Sequence, residues 1–162
     1  MANPQVHQLL EIIARAYDRR SWHGPNLRGS IRGIDPSTAA RRPARGRHNV
    51  WELVVHAAYW KYAVRRRLMG ETRGSFPLEG SNWFPRPEPG AEDVAAWRHD
   101  VALLARMHAQ LVEAVAAQSD RDLARVSRGS MVSNFELIAG VAAHDVYHAG
   151  QIQLVKRLVS NG

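Results

Sequence analysis

Cysteine is absent from the 162 residues, which excludes disulfides, thiolate metal ligation and a catalytic thiol without fixing a compartment. No run approaches the roughly 18 consecutive apolar residues of a membrane span, so no membrane partner is expected. The opening stretch MANPQVHQLLEIIARAYDRR lacks the order of a secretory signal, because its basic residues follow the apolar ones. A cytoplasmic location is the expectation. Internal repeats, low-complexity tracts and sustained two-residue alternation are missing too, which leaves no reason to expect strands. Lysine is nearly missing: Lys61 and Lys156 are the only two among 22 basic residues.

The remaining basic residues are arginines, and the formal net charge is +7. Such a balance raises the question of nucleic acid. Only Arg41 to Arg47 and Arg65 to Arg67 cluster, however, and the others are dispersed. A solvated, arginine-rich surface is the simpler reading, and a basic nucleic-acid-binding protein stands as an alternative.

What is present is helical periodicity. At this length, with 45% hydrophobic residues, the whole of 1–162 reads as one domain with one core. Asn3 and Pro4 cap a first helix ending near Arg20, striped by Val6, Leu9, Leu10, Ile13 and Tyr17. A second helix runs from about Asn49 to Met69 and stops at Gly70. A third begins near Ala91, with Glu92 and Asp93 in its first turn, and reaches about Gln118. Its seam is Val94, Trp97, Val101, Leu104, His108, Leu111 and Val115. A short helix, Ser119 to Ala124, precedes a long one from Ser133 to Leu158, where Ser133 and Glu136 form a capping box. Two long connections, residues 21–46 and 71–90, separate the first three helices, and Asp35-Pro36-Ser37-Thr38 predicts one helical turn within the first. The expected fold is all-α, a four-helix bundle in which the second and third helices can run parallel.

Histidines interrupt the apolar stripes. Leu137, Val141, His144, His148, Ile152 and Val155 share one face of the last helix, and Leu53, His56, Trp60 and Val64 share one face of the second. His144 and His148, at i and i+4, can reach one ion with neutral imidazoles, and a third ligand from another helix would complete an open site. His56 is the candidate, with Glu52 one turn before it. The residues alone leave a metal site and a purely structural trio both open. His108, solitary on its stripe, reads as a hydrogen-bonded core histidine.

The run His144-Asp145-Val146-Tyr147-His148 imitates a zincin H-E-x-x-H. Asp is a methylene shorter than the usual Glu, and no ligand-type residue follows His148, so that reading fails. Asp145 projects about 100° from the two-histidine face, where it orients a neighbour or faces solvent.

His144-Asp-Val-Tyr-His148-Ala-Gly150-Gln151 resembles the terminal H-x-x-x-H-x-G-Q signature of the DinB-like family, the DinB/YfiT superfamily. His48-Asn-Val-Trp51-Glu-Leu-Val-Val-His56 resembles its second-helix motif, which ends in the first metal-binding histidine. The resemblance spans most of the chain. It implies a four-helix bundle in up-down-down-up order, a divalent metal at His56, His144 and His148, and a homodimer. Zinc or nickel is the implied ion, with iron or manganese next. Relatives include thiol-dependent transferases and isomerases in which the metal activates a low-molecular-weight thiol. The expected function is therefore metal-dependent transferase or hydrolase chemistry on a small molecule, with a non-catalytic, metal-stapled binding protein, or a basic nucleic-acid-binding protein of the damage response, as the alternatives. Arg41, Arg42, Arg45 and Arg47 offer anion contacts. Trp22, Trp83 and Phe84, with Tyr59, Trp60 and Tyr147, offer apolar walls for a pocket roofed by the two long connections.

Overall fold

Each long helix starts where a side chain replaces the missing intrahelical acceptor. In a computed structural model, which describes residues 3–74, 76–87 and 93–160, the Asn3 side chain accepts from the Gln5 and Val6 amides to open α1 (Pro4–Tyr17). After two short helices, α2 (Leu27–Ile31) and α3 (Pro36–Ala40), a capping box of Asn49 and Glu52 opens α4 (Val50–Leu68). Asp93 caps α5 (Val94–Ala116); Ala91 and Glu92, expected in its first turn, lie outside the described residues. Then follow α6 (Asp120–Ala124) and α7 (Asn134–Ser160), with Ser133 and Glu136 in the expected reciprocal bonds. Gly70 follows α4 at φ 68°, the left-handed conformation that ends a helix without a Cβ clash. Among the described residues there is no strand; a single bridge pairs Val126 with Ser133.

The fold is all-helical, as expected. The four long helices close a ring in which α1 touches α5 and α7, and α4 touches the same two. Apolar residues meet in two clusters. One gathers Val6, Leu9 and Ile13 with Val64, Leu68, Leu111, Val115 and Ile138. The other gathers Tyr17 with Trp51, Leu53, Trp97, Leu104, Ile152 and Val155. The start of α4 thus lies with the start of α5 and the end of α7, while the start of α1 lies with the ends of α4 and α5. These contacts agree with an up-down-down-up order. Each fully buried aliphatic or aromatic side chain contributes on the order of 1.5–3 kcal/mol, so the clusters outweigh any single polar contact.

The long connections are partly ordered by short helices. α2 packs on α7 and α1, and α3, capped by Asp35, packs on α4 and α7. They cover the bundle. Trp22, expected as a pocket wall, is fully exposed, whereas Phe84 is buried in the core. The second connection is tied down at Arg86, which pairs at 2.5 Å with the buried Asp100 of α5. Asp100 also accepts from Trp51 Nε1 at 2.7 Å, so one carboxylate joins α4, α5 and the loop, and delivers residues 82–84 to the face of α4.

Candidate metal centre

α4 and α7 run side by side with His56 on one and His144 and His148 on the other. Their ligand nitrogens lie within 4.8 Å of one another. His144 Nε2 is 3.1 Å from His56 Nε2 and 2.9 Å from His148 Nε2. This is the trio that the sequence pattern brings together.

The proton positions follow from the partners of the outer nitrogens. His56 Nδ1 lies 2.8 Å from the Asn82 carbonyl, which only accepts, so Nδ1 carries the proton and Nε2 presents a lone pair. His148 Nδ1 donates likewise to Gln151 Oε1 at 2.6 Å, and the Gln151 amide is oriented by donating to the Tyr147 hydroxyl at 3.0 Å. Two lone pairs therefore face His144 Nε2. One proton there can serve one of them, whereas a divalent cation serves all three. The donor set fits a divalent metal site.

Asn82 is the only described non-glycine residue at positive φ, 65°. Asn tolerates that conformation better than most residues, and here it turns the carbonyl toward His56 while Oδ1 accepts from Trp60 Nε1 at 3.0 Å. Trp83 then lies flat on His56, with ring centroids 3.8 Å apart, and its other face stacks on His48 at 3.6 Å. The 71–90 connection thus supplies both a hydrogen-bond partner and a wall to the same imidazole.

Burial keeps the trio neutral. It pushes His144 down to about 3, with the His148 and His56 rings and the Lys61 ammonium acting in the same direction. His148 falls to about 4 through burial, against the opposing pull of Gln151. His56 is also lowered by burial, against the Asn82 carbonyl. Neutral imidazoles are the form that binds metal.

A family model described as the DinB superfamily matches residues 20–152. The chain belongs to the DinB superfamily. No curated protein matches it, and no solved structure does. The motif resemblance and the family match thus fall on the same helices that build the trio.

Several neighbours take places in this DinB-superfamily chain that periodicity alone did not give. Asp145 is fully buried, not solvent-facing, and pairs with the equally buried Lys61 of α4. The buried stripe of α7 runs through Ile138, Ala142, Asp145, His148 and Ile152, so Asp145 sits on the helix side that faces the core and the histidines at its edge. A hydrophobic period does not register a buried charge; the signal was that Lys61 is also flanked by buried positions of α4. Glu52 turns away from His56. It accepts from Arg42 at 2.6 and 2.9 Å and contacts His48 Nδ1 at 3.0 Å. Arg42 is thereby occupied, while Arg41, Arg45 and Arg47 are exposed. His108 stacks on Tyr17 with centroids 3.6 Å apart, and its buried Nδ1 has no hydrogen-bond partner, contrary to the expected hydrogen-bonded state.

A groove of about 260 Å³ reaches His144, walled by Trp60, Val64, Leu137, Gly140 and Val141, with Val132 and Arg67 farther along. It lies between α4 and α7. The expected roof from the two long connections does not line it; Trp83 and Asn82 hold His56 from outside the groove.

Proposed function

We propose that this chain is a metal-dependent enzyme in which His56, His144 and His148 hold one divalent ion and a small molecule reacts at it. The reading is carried by one observation: two imidazoles locked as Nδ1–H tautomers aim their Nε2 lone pairs at the nitrogen of a third. The spans of 2.9 and 3.1 Å suit nitrogens sharing an ion, whose bonds to imidazole run about 2.0–2.1 Å. Zinc or nickel matches an all-imidazole set best, with iron or manganese next.

A divalent ion bound there supplies Lewis-acid chemistry, making a nucleophile of a water or a low-molecular-weight thiol at neutral pH. The residues of the chain do the rest. Asn82 and Gln151 keep the Nδ1 protons in place, and Trp83 excludes water from one side of His56. The groove along Trp60, Val64 and Val141 admits an apolar substrate portion from the other side. A transferase or hydrolase reaction fits this arrangement, with the thiol as cosubstrate because the chain has no cysteine of its own.

The metal-stapled binding protein shares the histidine geometry but needs no route to it, and the groove at His144 favours the enzyme. A homodimer is part of the reading: α7 leaves Tyr147, Leu154 and Leu158 exposed along one stripe, available to a second copy. The test is elemental analysis of protein purified without added metal, followed by turnover with a panel of thiols and electrophiles. About one equivalent of metal, lost in His144→Ala/His148→Ala, and turnover lost in His56→Ala, are the expected results. Metal content unaffected by the double substitution would sink the site.

A further inference from the structure

The arginine-lined hollow at the far end of α4 lies outside the histidine site. Arg66, Arg67, Arg125 and Arg128 line a cleft of about 590 Å³ between the end of α4 and the loop leading from α6 to α7. That volume is in the usual range of small-molecule sites, about 300–1,000 Å³. One acidic residue, Glu71, lines the cleft, and its carboxylate is already held by both terminal nitrogens of Arg65 at 2.7 and 3.0 Å. Among the described residues, Arg67 and Arg128 have no acidic partner, and Arg125 reaches Asp122 only at 4.0 Å. Arg66 makes two long contacts, each 3.4 Å, to the Glu71 and Thr72 carbonyls. Four arginines thus line one hollow whose only carboxylate, among the described residues, is already engaged.

This cleft adjoins the groove already described, with Arg67 lining both. His56, Trp60, Val64 and Arg67 recur at steps of three and four and so run down one side of α4. Arg67 stands eleven positions beyond His56, a span of about 16 Å at helical rise. Between the basic end and the imidazoles the walls are apolar: Val64, Leu137 and Val141. Glu136, the one acid on this path, is engaged in the capping box with Ser133. Gly140 leaves open space where a side chain would stand, with no atom beyond its chain neighbours and its own helix backbone within 4 Å of its would-be Cβ.

We propose that the arginine cleft binds the carboxylate or phosphate of a small organic anion, and that the groove from Arg67 to His144 holds its hydrocarbon portion. The inference deepens the metal-enzyme reading and rests on it for what happens at the His144 end; the binding itself does not require the ion. Guanidinium groups recognise both head groups through paired N–H donors. A molecule anchored there extends its far end toward the histidines.

Calorimetric titration of the full-length protein with octyl phosphate, octanoate, octanol and inorganic phosphate tests this. Both anionic amphiphiles are expected to bind, and the tighter of the two assigns the head group; octanol is expected to bind at least about tenfold more weakly, the loss of a charged hydrogen-bond set. Arg67→Ala/Arg128→Ala should weaken octyl phosphate by about tenfold or more on the same ground. Gly140→Leu fills the groove without touching the arginines. It should weaken octyl phosphate while leaving inorganic phosphate as in the wild type. Equal binding of octanol and octyl phosphate would overturn the proposal, as would wild-type affinity in the double arginine variant. Displacement of the amphiphile by a DNA duplex, with Gly140→Leu having no effect, would hand the cleft to nucleic acid. Metal content of the same samples separates the two readings: amphiphile binding without metal retains this inference and discards the histidine one, and metal without binding does the reverse.

Discussion

Two polar clusters are buried side by side between α4 and α7, and they are completed differently. Lys61 and Asp145 form an ion pair in which Asp145 Oδ2 accepts from Lys61 Nζ while Oδ1 has no hydrogen-bond partner, with Tyr17 beneath the ammonium at 5.1 Å from its ring centre. One residue along α7 from Asp145 stands His144, where three neutral imidazoles face one another with more lone pairs than protons. The chain supplies its own cation to the first cluster. In the second, on the metal-enzyme reading, the cation comes from outside. Buried polar groups in a helix bundle cost stability unless satisfied, so charges paired within the chain account for themselves as packing, while a cluster short of a cation leaves a place for one.

The sharpest way to break this comparison is to open the closed cluster. Lys61→Met leaves a buried carboxylate alone, and breaking a buried pair from one side costs about 3–5 kcal/mol. Urea denaturation should show a loss of that size, while Lys61→Met/Asp145→Leu should recover most of it, because apolar replacement of both partners is often neutral. A double variant as unstable as the single one would mean that Asp145 and Lys61 serve the histidine site and not each other.

Closing the open cluster should act in the opposite direction. An ion present at about a hundredfold excess over its dissociation constant stabilises the native state by about 2.7 kcal/mol. Chelation should therefore lower the melting temperature by about 5–10 °C for a domain of this size. The gap should narrow at low pH, where protonated imidazoles no longer bind. Identical melting of chelated and metal-loaded protein would leave the open cluster as a structural trio.

The sequence pattern made the helices legible because caps and apolar periods are local: Asn3, Asn49, Ser133 and Gly70 act where they stand. The i, i+4 pair His144 and His148 was legible for the same reason. His56 could be named because it broke an apolar stripe. Asp145 was less legible, since its meaning depends on Lys61, 84 residues away, and no periodicity joins them. Asn82 and Trp83 were hidden more deeply. They lie in an irregular connection whose path is set by Arg86 on Asp100, a tertiary contact. The groove was misplaced for a related reason: long loops suggested a roof, but the opening lies between two helices, at residues as small as Gly140.

Gln151 tests how far the open cluster depends on its surroundings. It holds the Nδ1 proton of His148, and removing such an outer partner typically costs about 10–100-fold in metal affinity. Gln151→Ala should show that loss in competition with a metal indicator, with the melting temperature of the chelated protein nearly unchanged. Gln151→Glu keeps an acceptor at the same reach and should restore part of the affinity. Wild-type affinity in Gln151→Ala would mean that the His148 tautomer is fixed by something other than this bond.

The smallest effect is expected at His108, which stacks on Tyr17, the ring that Lys61 also lies over, and is not part of the open cluster. Burial, then the Lys61 charge, pushes its imidazole from 6.5 down to about 3. The unfolded chain therefore takes up a proton below pH 6.5 that the native chain refuses until about pH 3. By linkage, the unfolded state binds more protons across that window, so stability is retained above pH 6.5 and falls progressively toward pH 3. His108→Phe keeps a flat ring on Tyr17 and removes both the titration and the unpartnered Nδ1. At neutral pH it should be as stable as the wild type or more stable by about 1 kcal/mol, the cost of one unsatisfied buried group. Between pH 6.5 and 3 its loss of stability should be shallower than the wild type's, measured in metal-free protein so that the three clustered histidines contribute equally to both. Parallel acid profiles would show that the His108 ring is protonated or solvated in the native chain.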